Sequence, residues 1–119
     1  MNFQNIGILE GEKKKYKVLY GRNRGHVELT EEYIYLYHPD FMKKIMLDEI
    51  DSIDERHRNV FFSFRLKDGS IYFIGFPFEQ SAGVSITESI RDIRSLKKAK
   101  RDKKLFLDIF KLKIRESAK

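Results

Sequence analysis

Three histidines are the only imidazoles in the chain, and His26, His38 and His57 stand apart on separate predicted elements. A zinc site needs three or four ligands converging at fixed geometry, and this spacing signals no such convergence. Cysteine is absent, which removes thiolate metal sites, disulfides and cysteine nucleophiles together. The carboxylates of Asp48, Glu49, Asp51, Asp54 and Glu55 are dense enough to meet a divalent cation. Their spacing is not that of a calcium loop, so a solvated turn or a dock for a basic group is the simpler reading. Asn59, Ser63 and Gly75 form no nucleophile motif, and no glycine-rich phosphate loop occurs. These residues point away from catalysis, metals and cofactors, and toward binding.

Charge carries the binding chemistry. The chain has a net charge of +6, and the excess is uneven. From Lys97 to Lys119 there are ten basic residues against Asp102, Asp108 and Glu116, a local balance of +7 that leaves −1 for the remainder. Within that remainder, Lys13, Lys14, Lys15, Lys17, Arg22 and Arg24 oppose the acidic set from Asp48 to Glu55. Separation of this kind steers an anionic partner to one face, although charge runs are more often simply solvated surface.

The elements that must position these groups read mainly as strands. Tyr16, Val18 and Tyr20 alternate with Lys15, Lys17 and Leu19, a period of two that predicts a strand over 13–20. Gly21 to Gly25 reads as a turn. His26–Leu29 and Tyr33–Tyr37, with Thr30-Glu31-Glu32 between them, predict a hairpin; Pro39 and Asp40 close it, and a short apolar run follows from Lys43 to Leu47. Asp48 to Ser52 suits a turn into a strand near Ile53, while Ile50 and Ile53 suit one helical turn equally well. Phe62, Phe64 and Leu66, then Asp68-Gly69, then Ser70–Phe76 carry a strong hairpin signal, with positive φ expected at both central residues.

Beyond Phe78 the period changes to that of a helix. Ile86, Ile90, Ile93 and Lys97 share a face, with Ser85 and Glu88 spaced as a capping box. Lys97–Lys104 has only Ala99 as an apolar residue and is expected to stay out of the core. Leu105, Ile109 and Leu112, bordered by Phe106 and Phe110, then form a second apolar face. One long helix or two helices with a hinge would fit, and the charged interval favours two.

At 119 residues the chain suits one hydrophobic core. Hydrophobic residues at 41% and charged residues at 35% argue against global disorder. Ten Phe and six Tyr with no Trp suit half-buried strands. The lack of cysteine, of a secretory signal and of an apolar run long enough to span a bilayer makes the cytoplasm the expected location, with peripheral membrane attachment as an option.

About seven short strands followed by a helix resembles the element order of pleckstrin-homology-like domains, in their GRAM-like or divergent bacterial and archaeal forms. Gly25-His26-Val27-Glu28-Leu29-Thr30-Glu31-Glu32-Tyr33-Ile34-Tyr35-Leu36 is similar to the family's strand, Thr-centred turn and strand. Ile45-Met46-Leu47-Asp48-Glu49-Ile50-Asp51-Ser52-Ile53 is similar to its short strand and acidic segment, Phe62–Phe76 to its next hairpin, and Ile86–Leu96 to its closing helix. The absence of Trp from that helix departs from many members, and Lys103–Glu116 is extra to the minimal fold. The resemblance implies an α+β, mainly β fold: a small barrel of about seven antiparallel strands with a closing helix over 1–97, and a basic helical extension over 98–119.

The resemblance also implies an anion site, because Lys17, Arg22 and Arg24, with Lys15 on the same strand face, are spaced like the residues that clamp lipid phosphates in phosphoinositide-binding members. The basic tail offers a second surface, with Leu105, Phe106, Ile109 and Phe110 on one side of a helix as an interaction face. The expected function is a non-catalytic interaction or scaffolding domain that binds a protein partner or a second copy of itself. Attachment to anionic membrane is the first alternative, and non-specific nucleic-acid binding through the tail is the second.

Overall fold

The computed structural model describes residues 1–11, 23–56, 60–78 and 86–118. The strand expected over 13–20, the turn at Gly21, and Ser85 of the capping box lie outside them. Seven strands are described: β1 (Asn2–Glu10), β2 (Arg24–Leu29), β3 (Tyr33–His38), β4 (Phe41–Met46), β5 (Ile50–Asp54), β6 (Phe61–Leu66) and β7 (Ile71–Gly75). Among the described residues one α-helix, α1 (Ile86–Ser117), follows them. The fold is α+β and mainly β.

All strand pairs are antiparallel, in the order β4-β3-β2-β1-β7-β6-β5. The two outermost strands, β4 and β5, are consecutive in sequence and joined only by the 3-10 turn Leu47–Glu49. A flat sheet of this width would hold its edges about 29 Å apart at the usual strand spacing, and a three-residue turn cannot span that. The sheet must roll into a barrel-like shape. The turn is tied to both sides of the roll, because Leu47 N–H donates to the Glu32 carbonyl and Lys67 N–H to the Glu49 carbonyl, at 2.9 and 2.8 Å.

Local chemistry explains the turns. Thr30 Oγ1 accepts N–H bonds from Glu32 and Tyr33, at 3.2 and 3.1 Å, and so fixes the β2–β3 hairpin. At the β6–β7 turn Gly69 N–H donates to the Leu66 carbonyl at 2.9 Å and Leu66 N–H to the Ser70 carbonyl at 2.8 Å. Gly69 has φ +93°, and Asp68 is not in the left-handed region. The expected two-residue turn with positive φ twice is therefore a three-residue loop, a type I turn followed by a left-handed glycine.

β1 was not legible as a strand, because a bulge breaks its alternation. Phe3 pairs with Val27 and Ile6 with Gly25, so the register slips between them. Asn5 takes φ +54° there, and the inward residues become Phe3, Ile6 and Ile8 in place of a strict period of two.

The helix corrects three expectations. It is continuous over 32 residues, with no hinge. Lys97–Lys104 does reach the core, because Ala99 is 3% exposed. The closing role belongs to the second half: Phe106 and Phe110 are fully buried, whereas Ile90 and Ile93 are 46% and 54% exposed. The cause is helical phase. Ala99, Phe106 and Phe110 follow one another at seven and four residues and share a face, while Ile90 precedes Ala99 by nine, or about 2.5 turns, and faces the opposite way. Phe106 and Phe110 enter a nest of aromatic rings, with Phe62 at 5.6 and 6.2 Å, Phe76 at 5.9 Å from Phe106, and Phe64 at 5.5 Å from Phe110.

Candidate functional site

A helix of this length is about 48 Å long, and the molecule measures 51 × 26 × 24 Å. The helix therefore runs the full length of the molecule, and its two halves use their charges differently.

In the second half, lysines turn toward the barrel rim. Lys111 Nζ meets both carboxylate oxygens of Glu55 at 3.0 and 3.1 Å, and Lys113 pairs with Glu31. Lys103 is partly buried; desolvation lowers its pKa, and the Glu55 charge opposes that shift. The acidic set around Asp48–Glu55 thus docks a basic group from the same chain, while Asp54 pairs with Arg56 at 3.0 Å.

In the first half the cations face solvent. Residues 91–104 hold eight basic and two acidic side chains, a balance of +6 that equals the net charge of the entire chain. Arg91, Arg94, Lys97, Lys98, Lys100, Arg101 and Lys104 are all exposed, and no ion pair joins any of them to another described residue. Four of the six exposed large hydrophobic side chains among the described residues, Ile90, Ile93, Leu105 and Leu112, lie on this same helix. Arg94, Lys97, Arg101 and Lys104, at spacings of three, four and three, form a stripe between them, opposite the buried face.

An open groove of about 570 Å³ lies beside that stripe, between the flank of α1 and Pro77, which follows β7. Arg91, Arg94, Lys98 and Arg101 line it, again at spacings of three, four and three. Sequence reasoning missed this stripe, because a basic segment counted from Lys97 leaves Arg91 and Arg94 out; their helical spacing from Lys98 and Arg101 was the signal. No family model and no curated protein matches this chain.

The sequence-predicted residues fall in different places. Lys15, Lys17, Arg22 and His57 lie outside the described residues. Arg24 opens β2 half-buried, and its Nε is buried without a hydrogen-bond partner. Of the four residues expected on an interaction helix, Phe106 and Phe110 are inside the barrel, Ile109 packs half-buried against the core, and Leu105 is exposed at 54%. Phe106 and Phe110 cannot present an apolar face to a partner in the folded chain, because the barrel mouth takes both rings.

The remaining histidines have structural partners. His38 Nδ1 accepts the Asp40 N–H at 3.0 Å, and its Nε2 lies 3.1 Å from Asn23 Oδ1. His26 stacks on Tyr37 at 4.0 Å, and Tyr37 on Tyr35 at 4.4 Å. These rings, with Tyr33, line the outer face of β2 and β3, beside Met42, which is 68% exposed. Burial, and then the charge of Glu28, raises the Tyr33 and Tyr37 phenols above their ordinary pKa. Among the described residues no three His, Cys, Asp or Glu side chains group as metal ligands, and no helix is long and apolar enough to cross a membrane.

Proposed function

We propose that this chain is a non-catalytic domain that attaches to an anionic membrane surface through the outward face of α1, with the rolled sheet as its scaffold. The observation that carries the reading is that the exposed cationic stripe of Arg94, Lys97, Arg101 and Lys104 shares one helix face with exposed Ile90, Ile93, Leu105 and Leu112. Basic residues near an anionic leaflet contribute about 1 kcal/mol each. Aliphatic side chains on the same face add apolar burial at the headgroup boundary. A second copy of the chain suits this face poorly, since two stripes of like charge would oppose one another. Nucleic acid also suits it less well, because the exposed apolar groups on the helix are aliphatic and offer no ring for base stacking.

The strand order and the C-terminal helix support membership of the pleckstrin-homology-like class, in a GRAM-like or divergent form. Cytoplasmic residence with peripheral membrane attachment follows from the same reading. A protein partner is the second reading, favoured by one observation: Tyr33, Tyr35, Tyr37 and Met42 form an outward aromatic and apolar patch of the composition that dominates interface energetics.

Vesicle co-sedimentation separates the two. Binding to phosphatidylcholine vesicles that contain phosphatidylserine, absent with phosphatidylcholine alone and weakened by salt, is the expected result. Binding that is lost on Tyr35→Ala and unchanged by Arg94→Glu/Arg101→Glu would contradict it.

A further inference from the structure

The groove between α1 and Pro77 is built differently from the rest of the basic face. Its inner wall includes Ala99, which is 3% exposed, together with Pro77 and Ser95. Among the described residues its rim carries Arg91, Arg94, Lys97, Lys98 and Arg101, with a single carboxylate, Asp102. Five cations against one anion leave a local balance of +4.

We infer that this groove binds a clustered phosphate group, a pyrophosphate or a terminal phosphomonoester, and that it does so more tightly than it binds diffuse negative charge. The inference rests on the membrane reading for its lipid source. Three of the rim cations are guanidinium groups, whose planar forks match phosphate oxygens two at a time, while lysine contributes a point charge. Two cations three residues apart on one helix, the arginine pair Arg91 and Arg94 or the mixed pair Lys98 and Arg101, can converge on one ligand. Asp102 sets a limit on the ligand, since its carboxylate repels a phosphate that approaches it and favours seating toward Arg91 and Arg94. Among the described residues no aromatic ring lines the groove, so recognition is of the phosphate and not of a base.

Calorimetric titration with inorganic pyrophosphate tests the free source, and vesicles of phosphatidic acid or phosphatidylserine at matched surface charge test the lipid source. Three proteins are compared: the intact chain, Arg94→Gln/Arg101→Gln in the groove, and Lys100→Gln/Lys104→Gln, which removes the same charge outside it. The expected result is saturable pyrophosphate binding that weakens at least about tenfold in the groove variant and less than about threefold in the control. Phosphatidic acid vesicles bind more tightly than phosphatidylserine vesicles, and pyrophosphate displaces them.

Equal weakening in both variants, or no saturable pyrophosphate binding, overturns the inference. Equal binding to both lipids without displacement overturns it too, while leaving the membrane reading intact. Pyrophosphate binding with the expected variant pattern but no vesicle binding upholds the groove for free phosphates and overturns the membrane reading. Circular dichroism of both variants establishes that they fold.

Discussion

Phe3 and Phe106 meet edge to face, with ring centroids 4.7 Å apart and planes at 70°. The contact joins the first strand to the last helix, so the two ends of the chain close one core. It also explains why the cationic face of α1 points outward: the rings that anchor the helix fix its rotation, and the basic stripe lies on the other side.

Phe106→Ala should therefore destabilise the fold by about 3–5 kcal/mol, the usual cost of emptying a buried aromatic site. Leu105→Ala, one residue away but exposed, should change stability by less than about 0.5 kcal/mol. Urea denaturation of both variants checks the difference.

Gly25 has no room for a side chain. A Cβ built there would lie 1.7 Å from the Tyr37 carbonyl oxygen, a backbone atom of the paired strand. Gly25→Ala should cost more than about 2 kcal/mol, because the strand pair itself must shift. At the β1 bulge, where Asn5 has φ +54°, Asn5→Val should cost about 1–2 kcal/mol and Asn5→Gly should not. Thermal melts of the three variants test the set.

The Lys111–Glu55 pair is partly exposed, at 38% and 47% of the two side chains. A double-mutant cycle with Lys111→Gln and Glu55→Gln should return a coupling of only about 0.2–1 kcal/mol, shrinking as salt is added. A coupling that is large and insensitive to salt would mean that the helix is latched electrostatically and not held by its aromatic anchors.

Asp68 accepts the Ser70 N–H at 2.8 Å, and that bond lowers its pKa below the ordinary carboxylate value. For a group with a depressed pKa, the stabilisation is present above the unfolded value and is lost as pH falls through the folded one. The β6–β7 hairpin should accordingly loosen below the ordinary carboxylate range. Asp68→Asn, which keeps an acceptor oxygen, should flatten that acid dependence. The Ser70 amide shift against pH reports both.

What the sequence made legible was local. Tyr33–Tyr37 alternates cleanly because β3 is regular, and Asp68-Gly69 marks its turn through φ preferences that need no tertiary context, although the loop proved one residue longer. β1 was hidden because the Asn5 bulge replaces its alternation with spacings of three and two. The helix was visible as a periodic segment, but both of its apolar stripes fit a barrel mouth on paper. Only the packing of Phe106 and Phe110 against Phe62 and Phe64 decides between them. Lys111 and Glu55, 56 residues apart, could not be paired from spacing. Arg91 and Arg94 join the basic face only once the helix is known to be unbroken.

The central claim is that the outward face of α1 meets an anionic membrane. Because the chain has no cysteine, single labels can be placed by Ile93→Cys, Leu105→Cys and, on the outer sheet face, Met42→Cys, each carrying a polarity-sensitive fluorophore. The account predicts a blue shift at Ile93 and Leu105 when phosphatidylserine vesicles are added, and none at Met42. A shift at Met42 alone, or at none of the three, would contradict it.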